Sequence, residues 1–368
     1  MAGHATLFAS PDGSDSNPCT ASGSCRTISH TVSVANPGDT IRVQRGTYHE
    51  DVTIATNLDL RGDGNPIIDA TGLSNGVLIQ GAAAAGTSVR GFTVQHATFE
   101  GILVKQTHDV LIQDNLVTQN DQGTSLPANQ QTGECAAVGL IPGDCGEGLH
   151  LWSVTNSQVL HNTVVNNAGG ILLTDENGPT SGNMIDHNTA DNNLEDCGIT
   201  IAGHNAGAFA HGTPQPNVGG VYSNSISHNE VNGNGIKGEG AGILLAGGPP
   251  GTAVYNNRIV DNVAQGNGLA GVTLHSHAPG QDLDGNVITG NRLSNDNLDP
   301  DHDFSPFDPS PTGIYIASQG VKPVAGTVIQ DNDISDVYYG IWTLNVTTTI
   351  PVSANHFAKD VTVPVLQQ

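Results

Sequence analysis

Positive charge is what this sequence has least of. Eleven Lys and Arg residues stand against 35 Asp and Glu in a chain of 368, a formal net charge of −24. Nothing here supplies the basic footprint that nucleic acid or an anionic membrane surface needs, so neither is expected as a partner. Large side chains are also scarce, with two Met, two Trp and seven Phe. That excludes one globular core built on aromatics and leaves a core of many thin layers. No apolar run is long enough to cross a bilayer, and the opening "MAGHATLFASPDGSDSNPC" lacks the charged and apolar regions of a signal peptide. The chain is therefore expected either to be cytosolic or to begin after a removed signal. The few cysteines favour the second reading. Cys19 and Cys25 share one Pro/Ser/Gly-rich loop, and Cys135 and Cys145 share another. Neither pair has a second Cys/His pair to complete a zinc cage, so short disulfides and a secreted or periplasmic location are expected. Cys197 is left over for the interior.

Glycine is abundant, at 47 residues, and much of it opens a repeated phrase. Gly-apolar-x-apolar recurs as "GVLI" at 76, "GILV" at 101, "GLHL" at 148, "GILL" at 170, "GITI" at 198, "GILL" at 242, "GVTL" at 271 and "GIYI" at 313, with "GIW" at 340. Between these lie Asn phrases such as "HNTVVNN" from 161, "HNTADNN" from 187 and "HNEVNGN" from 228. Three short alternating strands per unit, joined by Gly, Asn and Asp turns, fit no helical period. Parallel strands need a long crossover, and a coil that returns to the same face supplies one. The architecture implied is an all-β parallel β-helix of roughly ten coils, one repeat domain over residues 1–368. Residues 1–75 are read as cap and first coils, 76–350 as regular coils, and 351–368, with "VTVPV", as the closing strand. Asn suits the bends because it tolerates the left-handed conformation and its amide can bond to the coil above or below.

The stretch "SPDGSDSNPCTASGSCRTISHTVSVANPGDTIRVQRGTYHEDVTI" and the repeats behind it resemble the secreted right-handed parallel β-helix proteins of the pectate-lyase-like superfamily. That group includes polysaccharide lyases, polygalacturonases, alginate C5-epimerases and periplasmic NosD-type proteins. The resemblance covers nearly the whole chain and implies a right-handed coil. It does not choose among the activities, which must come from the site.

In a strand written Gly-Ile-x-Leu-x, the apolar residues face inward and the x positions face out. The outward pairs are Leu103/Lys105, His150/Trp152, Leu172/Thr174, Thr200/Ala202, Leu244/Ala246, Thr273/His275 and Tyr315/Ala317, followed by Trp342. Small residues occupy the middle of this strip, and larger polar or aromatic ones its ends. Insertions at 121–147, 235–241 and 296–312 precede a Gly strand, and one at 203–221 follows one, so all four border the strip. Loops added to a minimal solenoid commonly build its binding site. A groove for a linear carbohydrate is therefore expected. Trp152, Tyr315 and Trp342 would stack on sugar rings or pack as edges under the loops, and Lys105, His204 and His277 complete the candidate contacts.

Acids and histidines gather in the first half of this strip: Glu147 and His150 on one coil, Asp175 and Glu176 on the next, Glu195, Asp196 and His204 on the third. Glycoside cleavage needs two carboxylates about 5 to 9.5 Å apart, a window that groups one or two coils apart satisfy. The segment "LEDCGITI" resembles the Asp-Asp-Cys segment of polygalacturonases, and this implies Asp196 as acid with Asp175 as its partner. Glu176, Glu147, His150 and His275 are the further catalytic candidates, and no cofactor is required. A lyase or C5-epimerase instead removes a proton beside a uronate carboxylate and needs a cation to neutralise it. Lys105, Lys237 and Arg258 are the few basic residues that could lie near the strip, with Arg258 expected on another sheet, and this disfavours a polyuronate unless calcium bridges it.

"DNLDPDHDFSPFD" places Asp299, Asp301 and Asp303 at alternating positions, as a Ca²⁺ loop or a solvated acidic loop would. In "GVTLHSHAPGQD", His275 and His277 share a face at a spacing usable by Zn²⁺ or Cu²⁺. No third ligand is defined, so substrate contact or acid/base work is the better reading. The leading expectation is a secreted enzyme cleaving glycosidic bonds. A lyase or epimerase comes second, and a non-catalytic glycan- or metal-binding solenoid third. One smooth side would also let copies pack as a trimer.

Overall fold

The computed structural model describes residues 3–120, 146–237, 240–276, 278–298, 311–318 and 322–368. Cys135, Cys145, His277, Asp299, Asp301 and Asp303 lie outside the described residues.

The short alternating runs become strands of mostly two to five residues whose middle side chain points inward. Ile112, Val159, Ile185, Ile226, Ile259 and Ile288 pair in register from coil to coil and are fully buried. Each such burial contributes about 1.5–3 kcal/mol, so the core is a stack of thin aliphatic layers. The coils close a right-handed parallel β-helix. The Gly strands form a first sheet of eleven strands, and the strands after them a second sheet of eleven. The third wall is two five-stranded sheets, bridged at Thr189 to both Thr163 and Glu230. Among the described residues the first sheet counts eleven strands, in keeping with roughly ten coils, because Val52–Ile54 and Val363–Gln367 extend it beyond the "GVLI" and "GIW" phrases.

The Asn phrases account for the corners. Three columns of buried side chains run along the helix axis: Asn115–Asn162–Asn188–Asn229–Asn262–Asn291–Asn332–Asn355, Asn120–Asn167–Asn193–Asn234–Asn267–Asp296, and Asn183–Asn224–Asn257–Asn286. In each, Nδ2 donates to Oδ1 of the next member at 2.8–3.2 Å. The same Oδ1 also accepts a backbone N–H, as from Asn188 to Asn229 at 2.9 Å, and Nδ2 of Asn188 donates to Val159 O at 2.8 Å. Side-chain amides thus satisfy backbone groups that the bends would leave orphaned inside the protein.

At the N-terminal end the helix Ile28–Val34 buries Ile28, Thr31 and Val32 against the first coils. Thr27 Oγ1 accepts from His30 N, and Glu50 accepts from the backbone N–H groups of Ile28 and Ser29 at 2.9 and 2.8 Å, so the helix start is capped twice. Cys19 and Cys25 form the expected disulfide beside this cap, and Cys197 is buried.

Candidate functional site

The outward column of the first sheet has the register expected from the repeats: Lys105, Trp152, Thr174, Ala202, Ala246, His275 and Ala317 follow one another across the strands. The column is not an open groove floor. His150, Trp152, Thr174, Ala202, His275, Tyr315 and Trp342 are all buried. Titratable side chains concentrate at the Trp152–Thr174 end; the insertion after Gly203 forms a short hairpin of Phe209–Ala210 and Thr213–Pro214, with Phe209 packed against Ala253 and Tyr255.

Here a hydrogen-bonded chain crosses the strands. Glu100 Oε1 lies 3.1 Å from His150 Nδ1, and His150 Nε2 lies 2.8 Å from Thr174 Oγ1. Thr174 donates to Glu176 Oε2 at 2.6 Å, and Glu176 Oε1 lies 2.7 Å from His204 Nδ1. The sense of these bonds is dictated by Thr174. Its one proton goes to Glu176, so Oγ1 must accept from His150 Nε2–H, and Nδ1 faces Glu100 either as imidazolium to carboxylate or as imidazole to carboxylic acid. Burial opposes a charged His150, yet the hydrogen bond and charge of Glu100, backed by Glu176, raise its pKa above the ordinary imidazole value. Burial likewise opposes an ionised Glu176, but the hydrogen bond and charge of His204, the charge of His150 and the Thr174 hydroxyl hold it below the usual carboxylate range. Glu176 is therefore an ionised acceptor, and His204 carries its proton on Nδ1. The chain has a buried end and an accessible one. The Glu100 and His150 side chains are 3 % and 4 % exposed, against 16 % for Glu176 and 10 % for His204. Glu147 joins the buried end, its carboxylate grouped with those of Glu100 and the His150 ring within 4.8 Å.

Lys105 and Trp152 flank the accessible end. The Lys105 ammonium sits 3.7 Å from the centre of the Trp152 ring, and Trp152 Nε1 donates to Asn177 Oδ1 at 3.0 Å. One face of this ring is thereby occupied by a cation. Tyr315 and Trp342 pack on each other, with centroids 5.1 Å apart, in a cluster with Ala270 and Ala317. They lie about five and six coils beyond Trp152, roughly 24 Å or more along the axis. His275, four coils from Trp152, is likewise about 19 Å away and does not join the hydrogen-bonded chain.

The expected pair of Asp175 and Asp196 is corrected by the register. Asp175 follows Thr174, which pairs with Ala202, whereas Asp196 precedes the strand Ile199–Gly203. That strand alone spans about 13 Å, so the two acids lie at opposite ends of it, beyond the separation glycoside cleavage allows. Asp175 is fully buried, and its carboxylate accepts from the backbone N–H groups of His204 at 2.7 Å, Asn205 at 3.1 Å and Gly220. Burial raises its pKa against those three bonds. Asp175 is thus the anchor that ties both ends of the 203–221 insertion to the sheet. Asp175→Ala is expected to speed amide exchange at His204, Asn205 and Gly220 while the first-sheet strands stay protected. Unchanged exchange at those three amides would show that the insertion is held by other contacts. Asp196 accepts from Cys197 N at 2.7 Å and lines Gly169 together with Glu147.

Glu100, Thr174 and Asn177 make hydrogen bonds in this cluster although the residue pattern does not mark them as candidates. Glu100 was findable: it precedes Gly101 as Glu147 precedes Gly148, the same place in the repeat.

A family model described as periplasmic copper-binding protein (NosD) matches residues 32–211, 137–281 and 216–364. No curated protein sequence matches the chain. Among solved structures, the alginate lyase from Paenibacillus sp. str. FPU-7 aligns with a TM-score of 0.51 at 12 % identity, over 97 % of this chain and 99 % of that one. Pectate lyase Pel9A aligns with a TM-score of 0.51 at 14 % identity, over 98 % and 81 %. The Dettilon tailspike protein gp208 aligns with a TM-score of 0.53 at 14 % identity, over 92 % and 63 %. At such identities the likeness is one of fold.

Proposed function

The chain belongs to the NosD family, whose description concerns the periplasm and copper rather than a reaction, and from that premise we propose that it is an exported, carbohydrate-active β-helix that cleaves glycosidic bonds, with Glu176 as the carboxylate that moves a proton at the substrate. The observation that carries this reading is the hydrogen-bonded chain from buried Glu100 through His150 and Thr174 to half-buried Glu176. A proton entering at one end can leave at the other by successive shifts: Thr174 passes its hydroxyl proton to Glu176 and takes the Nε2 proton of His150. Glu176 could then protonate a leaving glycosidic oxygen. The parallel β-helices named as alginate lyase and pectate lyase lend the scaffold precedent, not the chemistry.

Lys105 favours a second reading. Its ammonium, next to Trp152 and about two coils from Thr174, is placed to neutralise a uronate carboxylate while Glu176, in its ionised form, removes the neighbouring proton. The two readings separate on a panel of neutral and uronate glycans. Hydrolysis releases reducing ends alone, and elimination also generates the absorbance of an unsaturated uronate. Release of neither product from any glycan would overturn the proposal.

A further inference from the structure

Away from the site, three histidines stand in successive coils at the turn between the second and third walls. His161, His187 and His228 each follow a second-sheet strand with φ of 54°, 55° and 53°. Each donates its backbone N–H to the next coil, to Asp186 O at 3.2 Å, Ser227 O at 3.1 Å and Val260 O at 3.1 Å. The backbone thereby fixes them in one column. Their rings follow, with centroids 5.2 Å apart for His161 and His187 and 4.7 Å apart, stacked, for His187 and His228. Asp186 sets one carboxylate oxygen against each of two imidazoles: Oδ2 is 2.7 Å from His187 Nδ1, and Oδ1 is 2.9 Å from His228 Nδ1. Ser227 Oγ donates to the same Oδ1 at 2.6 Å and holds the carboxylate in place. Asp261, at the same turn position one coil on, brings Oδ2 to 3.7 Å from His228 Nε2.

The turn itself does not call for histidine. The equivalent positions in other coils are Asp114, Asp261, Gly290 and Asp331, with φ between 55° and 70°, and Asp or Gly meets that conformation at least as well. Three imidazoles in consecutive coils, with a carboxylate between two of them, therefore need a reason beyond the backbone. We propose that Asp186, His187 and His228 form a surface site for a divalent ion of the copper–zinc class, with His161 supplying a further imidazole one coil away. One potential ligand atom from each of the three residues lies within 4.8 Å of the others. Two imidazoles and a carboxylate suit Cu²⁺ or Zn²⁺. A calcium site would be made of oxygens alone, and a Cu⁺ site would favour thiolate or thioether sulfur. Copper is named by the family description without a place; the side chains of this chain supply one. The site is independent of the glycan-cleaving proposal, because the chain from Glu100 to Glu176 lies on the first sheet and this turn lies between the other two walls.

The test is calorimetric titration of the whole chain with Cu²⁺ and with Zn²⁺, and electron paramagnetic resonance of the Cu²⁺-loaded protein. His187→Gln/His228→Gln and Asp186→Asn are compared with the wild type, and circular dichroism checks that each variant is folded. The double variant is expected to bind one equivalent fewer and to lose nitrogen hyperfine structure from imidazole. Asp186→Asn, which keeps the side-chain shape, is expected to weaken that equivalent at least tenfold. Equal stoichiometry and an unchanged spectrum in the double variant would overturn the assignment, as would a wild type that binds neither ion. In that case the column is a set of His–Asp pairs that offset charge on an acidic surface.

Discussion

Glu176→Gln is expected to lower kcat on whichever glycan the panel identifies by about 10²- to 10⁴-fold, the range over which a positioned proton-transferring group acts. The substitution keeps an oxygen for the Thr174 hydroxyl and a planar head of the same size, and its NH₂ can donate to His204 Nδ1 once that ring takes the other tautomer, so the fold and KM should change little. What it removes is the ability to hold and release a proton. Thr174→Val tests the route. It deletes the hydroxyl between His150 and Glu176 without changing the side-chain shape, and it also leaves a buried imidazole donor unsatisfied. If Glu176 receives its proton through Thr174, the variant loses rate by roughly tenfold or more, and the loss falls on kcat. The pH profile adds a sign. Glu176 lies below the ordinary carboxylate pKa, with burial opposed by His204, His150 and Thr174. As the base of the elimination reading it would therefore remain active as pH falls through the usual carboxylate range and fail only below it. As the acid of the hydrolysis reading it draws its proton from His150, whose pKa is raised, so activity would instead be lost as pH rises through the range of that imidazole. In an eliminating enzyme an acid limb at or above the ordinary Glu value, and with either product a Gln variant of full activity, would remove Glu176 from the reaction.

The scaffold was legible because a solenoid writes each structural decision many times. The Gly phrases lie along one sheet, and the Asn phrases make the corner columns, including amide bonds between coils. Outward and inward positions of Leu149–Trp152 and Ile171–Thr174 also fell where alternation puts them. The site was legible only in part. Glu176, His150 and His204 stand together because their outward positions are one coil apart, a relation that the repeat length contains. Asp175 and Asp196 looked close on the same logic, yet they sit beyond opposite ends of neighbouring strands, and sequence distance across a coil does not say which end. The depth of the column was hidden too. Whether Tyr315 or Trp342 meets solvent depends on what packs over it, and both turn out to be buried against one another. The histidine column is written in the sequence as three "HN" phrases, but the Asn in each already accounts for the bend, and nothing in the spacing says that two of the three rings meet Asp186.

Asp296→Asn is expected to stabilise the protein, and only at higher pH. Asp296 ends the column that begins at Asn120, and it alone among the members of the three columns brings a carboxyl where the others bring an amide. Its Oδ1 does the usual work, accepting from Asn267 N at 3.0 Å and Asn267 Nδ2 at 2.8 Å. In Asn234 and Asn267 the other side-chain atom is a nitrogen that donates to a backbone carbonyl, Ala190 O and Val231 O, both at 2.9 Å. In Asp296 that atom is Oδ2, buried with no hydrogen-bond partner among the described residues. Burial pushes the pKa to about 7 in spite of the two Asn267 bonds and a backbone bond from Ser294. The unfolded chain releases this proton near pH 3.9. Between about pH 4 and pH 7 the folded state therefore binds more protons than the unfolded one, and stability falls as pH rises through that window. The full loss above pH 7 is on the order of 4 kcal/mol, from about three pH units at about 1.36 kcal/mol each. An amide carries the donor that the position needs and no charge. Urea denaturation should find the variant close to wild type at pH 4.5 and more stable by about 1–3 kcal/mol at pH 8, once repacking around the new NH₂ is subtracted. Equal midpoints for the two proteins at pH 8 would mean that Asp296 is ionised and satisfied in the folded state, and the column would then end on a charge rather than on a proton.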